Sequence, residues 1–460
     1  MSQQEKFDKL FRRYPHPVKS LAERPHLSRR RFMNIAGAGV TASWLASNLP
    51  ASTVVNSTPV QMQNKAKNVI YILLAGAPSH TDTFDLKFIN GVTPGSFNPA
   101  TTNGVLFPTG LMPKLAGMMG DFSIVRSMQA WALVHTLSQT WTQIGRNPAG
   151  VLGNIAPNIG SVVAVEKAAD RRPGQVFPTF LALNSAAAAG AGYLPASYAP
   201  FKVTPSSAGL KNTTNADGQT RFDGRWDLLH HVDYPLRVNA PNGEAMADFD
   251  EFYSAAKGMM YNPVVTNAFK YSSADSVAYG NTGFGNACVI AKQALAADQG
   301  TRYIEITLGG WDMHTNIYTS LPTLAKTLDS GVSQLIADLK AGGLLDETLI
   351  VMAGEFGRTT GALTGGLGRD HYPQQFAFFA GAGVRGGRAI GATDDAGSKT
   401  IEYGWSRDRL IKPEDIEATI YSALGINWTN VRYDDPLGRG FYYVPNSDQD
   451  IYGPINELWQ

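Results

Sequence analysis

The chain has 460 residues, of which 43% are hydrophobic and 17% are charged, and its 39 basic and 38 acidic side chains nearly cancel. This length and composition predict a globular protein with a large core, in one large α/β domain or two smaller domains. Nine of the basic residues lie within residues 1–33, so the rest of the chain has 30 basic and 35 acidic side chains, a formal charge of −5. The chain after residue 33 therefore lacks the excess of basic side chains that nucleic-acid binding requires, and we exclude that function class.

The first fifty residues have the composition of an export signal. The stretch SRRRFM at 28–33 resembles the twin-arginine pattern, and a segment rich in Ala and Gly, without charges, follows it up to Lys65. Gly, Ser and Asn interrupt this segment too often to predict a firm membrane span, so cleavage near Ala51 and an uncleaved anchor both fit. We therefore predict a twin-arginine signal and linker over residues 1–55, recognition by the twin-arginine export machinery, and a periplasmic or secreted protein.

Four apolar runs predict strands that are buried on both faces of a parallel sheet. They are NVIYILLAG from residue 68, TRYIEITLGG from residue 301, ETLIVMAG from residue 347 and FAFFAGAG from residue 376. Helical patterns at 285–298 and 321–343 lie between them in strand–helix–strand order. This order predicts a three-layer αβα domain with a mostly parallel central sheet over residues 56–460, whereas the composition of residues 185–270 predicts a loop-rich insertion or cap.

Side chains that bind metal ions adjoin each of these predicted strands. They are His80, Asp82 and Asp85 after the first strand, Asp312 and His314 after the second, Glu355 and Arg358 after the third, and Asp370 and His371 just before the fourth. Ligands of parallel sheets bind at the carboxyl ends of the strands, so these side chains should meet at one edge. A group of carboxylates and imidazoles at one edge requires a cation, which predicts a divalent metal site. For Asp312 and His314 alone, a purely structural pair is the alternative.

Six motifs support this prediction through a resemblance. In chain order they are GAPSHTDTFDLK, YGNTGFGNACVIAKQAL, GGWDMHTN, LLDETLIVMAGEFGRT, GRDHYPQQFAFFAGAGVRGG, and EDIEATIYSALGI followed by DPLGRG. Together they resemble a family of exported bacterial proteins classed as a domain of unknown function, within the alkaline phosphatase superfamily that also contains sulfatases. The resemblance covers most of residues 67–442 and implies an alkaline-phosphatase-like fold.

The resemblance also implies a chemistry, namely metal-dependent transfer of phosphoryl or sulfuryl groups by one or two divalent ions. It leaves Zn, Mn, Ca and Mg open as the metal, and a small anionic ester as the substrate. The candidate metal ligands that it implies are Asp82, Asp312, His314, Glu355 and His371, with His80 and Asp370 beside them.

Two positions depart from the superfamily pattern. Phe356 stands where a second metal-binding histidine is common. The position of the nucleophile, ten residues before Gly145, is His135, which could attack the ester, act as a base or bind the metal. We favour the ligand or base role for His135, while Ser138 and the neighbouring threonines are the hydroxyl groups that could replace it.

The sequence thus predicts an exported hydrolase of phosphate or sulfate esters, with Arg358 binding the anionic substrate. The alternative belongs to another class of protein. It is a non-catalytic exported protein that keeps the fold and a metal for stability, and binds a partner through the insertion at 185–270.

Overall fold

The computed structural model describes residues 54–55, 59–239 and 244–460. The predicted export signal therefore lies almost entirely outside the described residues. Within the described ranges, no helix is both long and apolar enough to cross a membrane.

The strands are short at the periphery and longest in the centre of the sheet. In chain order they are β1 (Val54–Val55), β2 (Asn68–Leu74), β3 (Pro99–Thr102), β4 (Val105–Pro108), β5 (Phe122–Gln129), β6 (Phe180–Leu183), β7 (Phe201–Val203), β8 (Tyr303–Leu308), β9 (Thr348–Ala353), β10 (Gly357–Arg358), β11 (His371–Tyr372), β12 (Gln374–Ala380), β13 (Arg388–Ile390), β14 (Ala392–Thr393), β15 (Thr400–Glu402), β16 (Val431–Arg432) and β17 (Phe441–Tyr442).

The α-helices of the described residues surround this sheet. They are α1 (Pro113–Gly117), α2 (His135–Ile144), α3 (Ile159–Glu166), α4 (Gln219–Asn239), α5 (Glu244–Met259), α6 (Pro263–Ala268), α7 (Ser273–Ala278), α8 (Gly283–Ala296), α9 (Ile317–Ala341) and α10 (Pro413–Ala423).

The central sheet has eight strands in the order β13-β5-β12-β9-β2-β8-β6-β7. Along β2, alternate side chains enter two different cores: Ile70 and Ile72 pack on one face, and Val69 and Tyr71 on the other. Helices α8 and α9 cover the first face, while α3 and α10 cover the second. The predicted three-layer αβα fold with a mostly parallel sheet is therefore confirmed.

The strand β12 corrects one detail of that prediction. It runs antiparallel to both of its neighbours, β5 and β9, although its apolar run predicts a parallel strand. The connection from β9 contains the short antiparallel pair β10–β11 instead of a helix, and antiparallel strands need no helical crossover. Because of this direction, the residues just before β12 lie at the same edge of the sheet as the residues after β2, β8 and β9.

The insertion at 185–270 is more regular than its composition predicts. It contains β7 and three helices, α4, α5 and α6, in addition to loops. From its start to residue 233, the described side chains of α4 are exposed or half-buried, so none is fully buried against a core. A helix without a buried stripe lacks the apolar period that identifies helices in a sequence, which explains why the sequence predicts loops here.

Candidate metal centre

Four side chains from three separate segments meet at the carboxyl edge of the sheet. His135 is the first residue of α2, Asp312 and His314 lie between β8 and α9, and His371 is the first residue of β11. One ligand atom from each side chain lies within 4.8 Å of all the others. We call this group the open cluster.

Close packing of the backbone brings these loops together. Gly76, in the loop after β2, has a φ of 108°, and a Cβ atom there would lie 2.5 Å from the backbone nitrogen of Asp312. A side chain at this position would therefore push the two loops apart, and the positive φ would add backbone strain. Glycine at 76 keeps Asp312 within reach of the other ligands.

The Oδ1 atom of Asp312 is the centre of the open cluster. It lies 3.3 Å from Nε2 of His135, 3.0 Å from Nε2 of His314 and 4.0 Å from Nε2 of His371. The Nε2 atoms of His314 and His371 are 3.1 Å apart. Three imidazole nitrogens and one carboxylate oxygen thus face a common point.

The second nitrogen of each imidazole is already bonded to an acceptor. The three Nδ1 contacts are His135 to Oε1 of Glu355 at 2.6 Å, His314 to Oδ1 of Asp370 at 2.9 Å, and His371 to the carbonyl of Leu133 at 2.8 Å. Each acceptor requires a proton on Nδ1, so every neutral ring directs an Nε2 lone pair into the cluster. This is the arrangement of metal-binding histidines whose other nitrogen is held by a carboxylate or a carbonyl.

The donor set fits a divalent metal ion. Nε2 of His135 is buried and has no hydrogen-bond partner among the described residues. Four tetrahedral ligands at about 2.0–2.1 Å from an ion would lie about 3.3 Å apart, which is close to three of the separations given above. Imidazole nitrogens with a carboxylate suit Zn²⁺, whereas Mg²⁺, Ca²⁺ and Mn²⁺ are the ions that all-oxygen sites suit.

Arg358 supplies positive charge beside these ligands. Its Nη2 donates to Oδ1 of Asp312 at 2.6 Å, and its Nη1 lies 3.3 Å from Nε2 of His314. Burial alone would raise the pKa of Asp312, but the hydrogen bond and charge of Arg358, with the nearby imidazoles, lower it below its usual value. Burial lowers the pKa of His371, and Arg358 lowers it further, which outweighs the bond to the Leu133 carbonyl.

Two predicted ligands, Glu355 and Asp370, lie behind the open cluster. Oε1 of Glu355 accepts from Nδ1 of His135, from the backbone nitrogen of Gly76 at 2.9 Å and from Nε2 of Gln139 at 2.9 Å. Asp370 holds His314 in the same way. In this structure both carboxylates therefore contact the imidazoles of the cluster and stand outside the four ligand atoms.

Asp82 belongs to a second group, which we call the paired cluster and which consists of Asp82, Arg369, Tyr318 and Ser79. The carboxylate of Asp82 accepts from Nε of Arg369 at 2.6 Å, Nη2 of Arg369 at 3.2 Å, the hydroxyl of Ser79 at 2.6 Å and the hydroxyl of Tyr318 at 3.0 Å. Asp82 and Arg369 are both buried. The structure thus places Asp82 in an ion pair and outside the four-residue open cluster.

His80 is also outside the open cluster. It is fully buried, and its Nε2 lies 2.8 Å from the carbonyl of Gly397. Burial lowers the pKa of His80, which outweighs the nearby carboxylates of Asp85 and Asp82. We therefore describe His80 as a neutral imidazole packed beside the site.

The hydroxyl of Ser138 is used by the helix itself. It donates to the carbonyl of Ala132 at 2.8 Å, and the side chain is buried. The first helical position, where the superfamily pattern implies a nucleophile, is His135. Sequence reasoning missed Gln139 and the carbonyl of Leu133, which position ligands; the spacing of Gln139, one turn after His135, is the signal that could have identified it.

Comparisons with known proteins give one family and several distant structural similarities. A search of curated proteins finds no match. Solved structures give distant similarities. The lipoteichoic acid synthase LtaP from Listeria monocytogenes is 12% identical, with 84% of this chain and 79% of that chain covered and a TM-score of 0.37. The PsFucS1 sulfatase from Pseudoalteromonas sp. is 14% identical, with 78% and 68% covered and a TM-score of 0.38.

The alkaline phosphatase from the Antarctic bacterium TAB5 is 14% identical, with 69% of this chain and 92% of that chain covered and a TM-score of 0.35. Similarity at this level supports no conclusion about activity. The family model is more specific, since "Protein of unknown function (DUF1501)" matches residues 66–449. The predicted resemblance to a family of unknown function is confirmed, and the chain belongs to the DUF1501 family.

Proposed function

We propose that this protein is an exported, metal-dependent hydrolase of phosphate or sulfate esters. The observation that carries the proposal is the open cluster, in which three Nε2 atoms and one carboxylate oxygen lie within 4.8 Å of one another. Each of the three rings has its Nδ1 bonded to an acceptor, so the Nε2 lone pairs are available to a cation. The residues that would hold the ion are His135, Asp312, His314 and His371.

Accessibility supports a catalytic rather than a structural metal. The side chains of Asp312 and His314 are 47% and 43% exposed, and those of His135 and His371 are 24% and 25% exposed. Structural metal sites are usually closed by protein ligands, whereas catalytic sites leave a position open to substrate or water. A bound ion would supply charge stabilisation for the ester oxygens and acidify water for attack.

The hydrogen bonds of Arg358 favour a positioning role for this side chain. Its five N–H groups have five acceptors: the carbonyls of Ala77, Arg369 and Gly76, Nε2 of His314 and Oδ1 of Asp312. Four of these donors have acceptors that a bound ion would leave in place, and only the Nη1 contact to Nε2 of His314 would be released when that nitrogen binds the ion. We propose that Arg358 orients Asp312 and lowers its basicity, in place of the substrate contact that the sequence predicts.

The chain's hydroxyl groups favour attack by water. The hydroxyl of Ser138 already donates to Ala132, and His135 is tied to Glu355 through Nδ1. We propose that His135 is a ligand and that hydrolysis proceeds without a serine-linked intermediate. Because the hydroxyl of Ser138 and Nδ1 of His135 are both engaged, the same hydrogen bonds also favour a second candidate function, a non-catalytic exported metal-binding protein.

Metal analysis of the purified full-length protein, together with hydrolysis assays, tests the proposal. We expect about one equivalent or more of a divalent metal, and turnover of an aryl phosphate or an aryl sulfate that a chelator abolishes and added metal restores. Ser138→Ala should retain both metal and turnover. Bound metal without turnover of any ester would favour the non-catalytic protein, and protein that binds no divalent metal would contradict both functions.

A further inference from the structure

The segment just before His135 exposes large apolar side chains beside the open cluster. Trp131 is 46% exposed, Leu133 is 39% exposed and Val134 is 57% exposed. The backbone of the same segment belongs to the site, because the carbonyl of Leu133 holds Nδ1 of His371 and Val134 precedes the first residue of α2. The exposed apolar surface and the ligands are therefore parts of one continuous stretch of chain.

Trp131 is held in place more firmly than a surface side chain requires. Its Nε1 donates to Oε2 of Glu414 at 2.9 Å, and Nε1 of Trp141 donates to the other oxygen of Glu414 at 3.0 Å. The two indole rings stack with centroids 6.2 Å apart and an interplanar angle of 23°. Nζ of Lys412 lies 4.0 Å from the centroid of the Trp131 ring. Glu414 itself is buried, so a desolvated carboxylate fixes an indole that remains half-exposed.

Helix α2 links this indole to the open cluster. Trp141 is six residues after His135 on the same helix, which corresponds to roughly 9 Å along the axis. The ring of Trp131 lies beside that of Trp141, while Leu133 and Val134 occupy the chain between Trp131 and His135. An ester bound at the cluster would therefore have the exposed side chains of Leu133 and Val134 next to it, and the indole of Trp131 further along the same segment.

We propose that the segment Trp131–Val134 binds the leaving group of the ester and selects substrates in which that group is a ring. This inference rests on the proposed function. Leu133 and Val134 offer exposed apolar side chains next to the ligand His135. The fixed indole of Trp131, although Lys412 and Trp141 lie against its ring, keeps 46% of its surface exposed. Apolar surface that is already fixed suits an aryl or pyranose ring at a low cost in side-chain entropy, whereas a small alkyl leaving group gains little there.

Calorimetric titration of the Zn²⁺-loaded full-length protein with non-hydrolysable phosphonates tests this proposal. The probes are methylphosphonate, benzylphosphonate and a pyranosyl methylphosphonate. We expect at least one ring-bearing phosphonate to bind about tenfold more tightly than methylphosphonate. The ranking of benzyl against pyranosyl then distinguishes an aryl from a sugar leaving group.

Substitutions within the segment test whether it causes the preference for ring-bearing phosphonates. Trp131→Ala and Val134→Ser should each reduce the ratio of ring to methyl affinity, and circular dichroism checks that they are folded. If Trp131→Ala does not fold, Val134→Ser decides. Tyr433→Ala is the matched control, because Tyr433 is another aromatic side chain, 50% exposed, away from the segment; it should keep the wild-type ratio.

The outcomes separate the two proposals. Equal binding of methyl and ring-bearing phosphonates, or an unchanged ratio in folded variants of the segment, overturns the ring selectivity and leaves the proposed function standing. If the metal-loaded protein binds none of the phosphonates and none of the corresponding methyl and benzyl sulfonates, the proposed function itself fails, and the ring selectivity fails with it.

Discussion

The open cluster and the paired cluster have similar residues and opposite hydrogen bonding. Both lie at the carboxyl edge of the sheet, and in both an arginine contacts the aspartate, Arg369 within the paired cluster and Arg358 beside the open cluster. In the paired cluster, Asp82 and Arg369 are buried, and the two oxygens of Asp82 receive four hydrogen bonds. In the open cluster, Asp312 is half-exposed and three imidazole lone pairs converge on it.

The difference shows that proximity of acids and imidazoles does not by itself identify a metal site. A buried carboxylate is stable when its oxygens are hydrogen-bonded, and such a group has no need of an ion. Imidazole lone pairs that converge on one point favour an ion, above all that of the buried Nε2 of His135, which has no hydrogen-bond partner among the described residues. The degree of pairing therefore distinguishes a ligand set from a structural ion pair at the same edge of the sheet.

The largest expected effect comes from breaking the paired cluster. Arg369→Met leaves the buried carboxylate of Asp82 without its main partner, which should lower the free energy of unfolding by about 3–5 kcal/mol. Urea unfolding followed by fluorescence measures this change. Arg172→Met is the control, because Arg172 pairs with Asp298 at the surface, where such a pair contributes about 0–1 kcal/mol. A loss for Arg369→Met no larger than that of the control would mean that Asp82 is not the buried ion described here.

Glu305 is an intermediate case, since one oxygen is bonded and the other is not. Nδ2 of Asn158 donates to Oε2 at 3.0 Å, while Oε1 is buried without a partner among the described residues. Burial raises the pKa of Glu305 to about 7, although Asn158 and Lys202 act in the opposite direction. The unfolded chain ionises near its ordinary pKa of about 4.5, so the folded state loses stability as the pH rises from about 4.5 to about 7.

Glu305→Gln should remove this pH-dependent loss of stability, because a glutamine side chain does not ionise. Relative to wild type, the variant should gain about 3 kcal/mol in the free energy of unfolding between pH 4.5 and pH 8. Chemical unfolding at a series of pH values measures the difference. A difference between variant and wild type that is independent of pH would show that Glu305 is ionised throughout and has a partner that the structure does not explain.

The increase in stability that metal binding causes tests the open cluster directly. Because the ion binds the folded state, metal at about a hundredfold excess over its Kd should stabilise the wild type by about 2.7 kcal/mol. His314→Ala should lose the metal and this increment, which metal analysis and unfolding with and without chelator measure. His230→Ala is the matched control, because this imidazole on α4 contacts Asp250 and lies outside the cluster. Full metal content in His314→Ala would exclude His314 as a ligand.

Smaller effects should follow from the residues behind the ligands. Glu355→Gln weakens the acceptor that holds Nδ1 of His135, and substitutions of this kind typically cost about 10–100-fold in metal affinity. Asp370→Asn should cost less, because Asp370 is 63% exposed and water can replace it as the acceptor for His314. Competition with a chelating indicator measures both affinities. Complete loss of metal in Glu355→Gln would instead indicate that Glu355 is itself a ligand.

Much of the site follows from the apolar runs and the residues beside them. The strand before Asp312 and His314 is evident from its apolar pattern, and the rule that ligands bind at the carboxyl ends of strands then places both residues correctly. The position of His135 follows from its spacing to Gly145, which ends α2 in a left-handed conformation. Neither argument depends on distant contacts.

Other features could not be predicted, since they depend on partners far away in the chain. Asp82 and Asp312 both follow predicted strands and both pair with an arginine, and only the burial of Asp82 under distant Tyr318 and Arg369 makes it an internal ion pair. The exposure of Trp131 likewise depends on Glu414, which lies 283 residues further along the chain. The predicted parallel direction of β12 was wrong for a related reason, because the hairpin β10–β11 that sets its direction has only two residues in each strand.

The sequence by itself determined the layered α/β fold, the family and the segments that carry the candidate ligands. These features depend on local periodicity and on motifs that are contiguous in the chain. Only the tertiary structure decided which carboxylates are paired, which histidine nitrogens face a common point, and which apolar side chains stay exposed next to them. These outcomes depend on burial and hydrogen-bond partners, which the folded chain brings together from positions hundreds of residues apart.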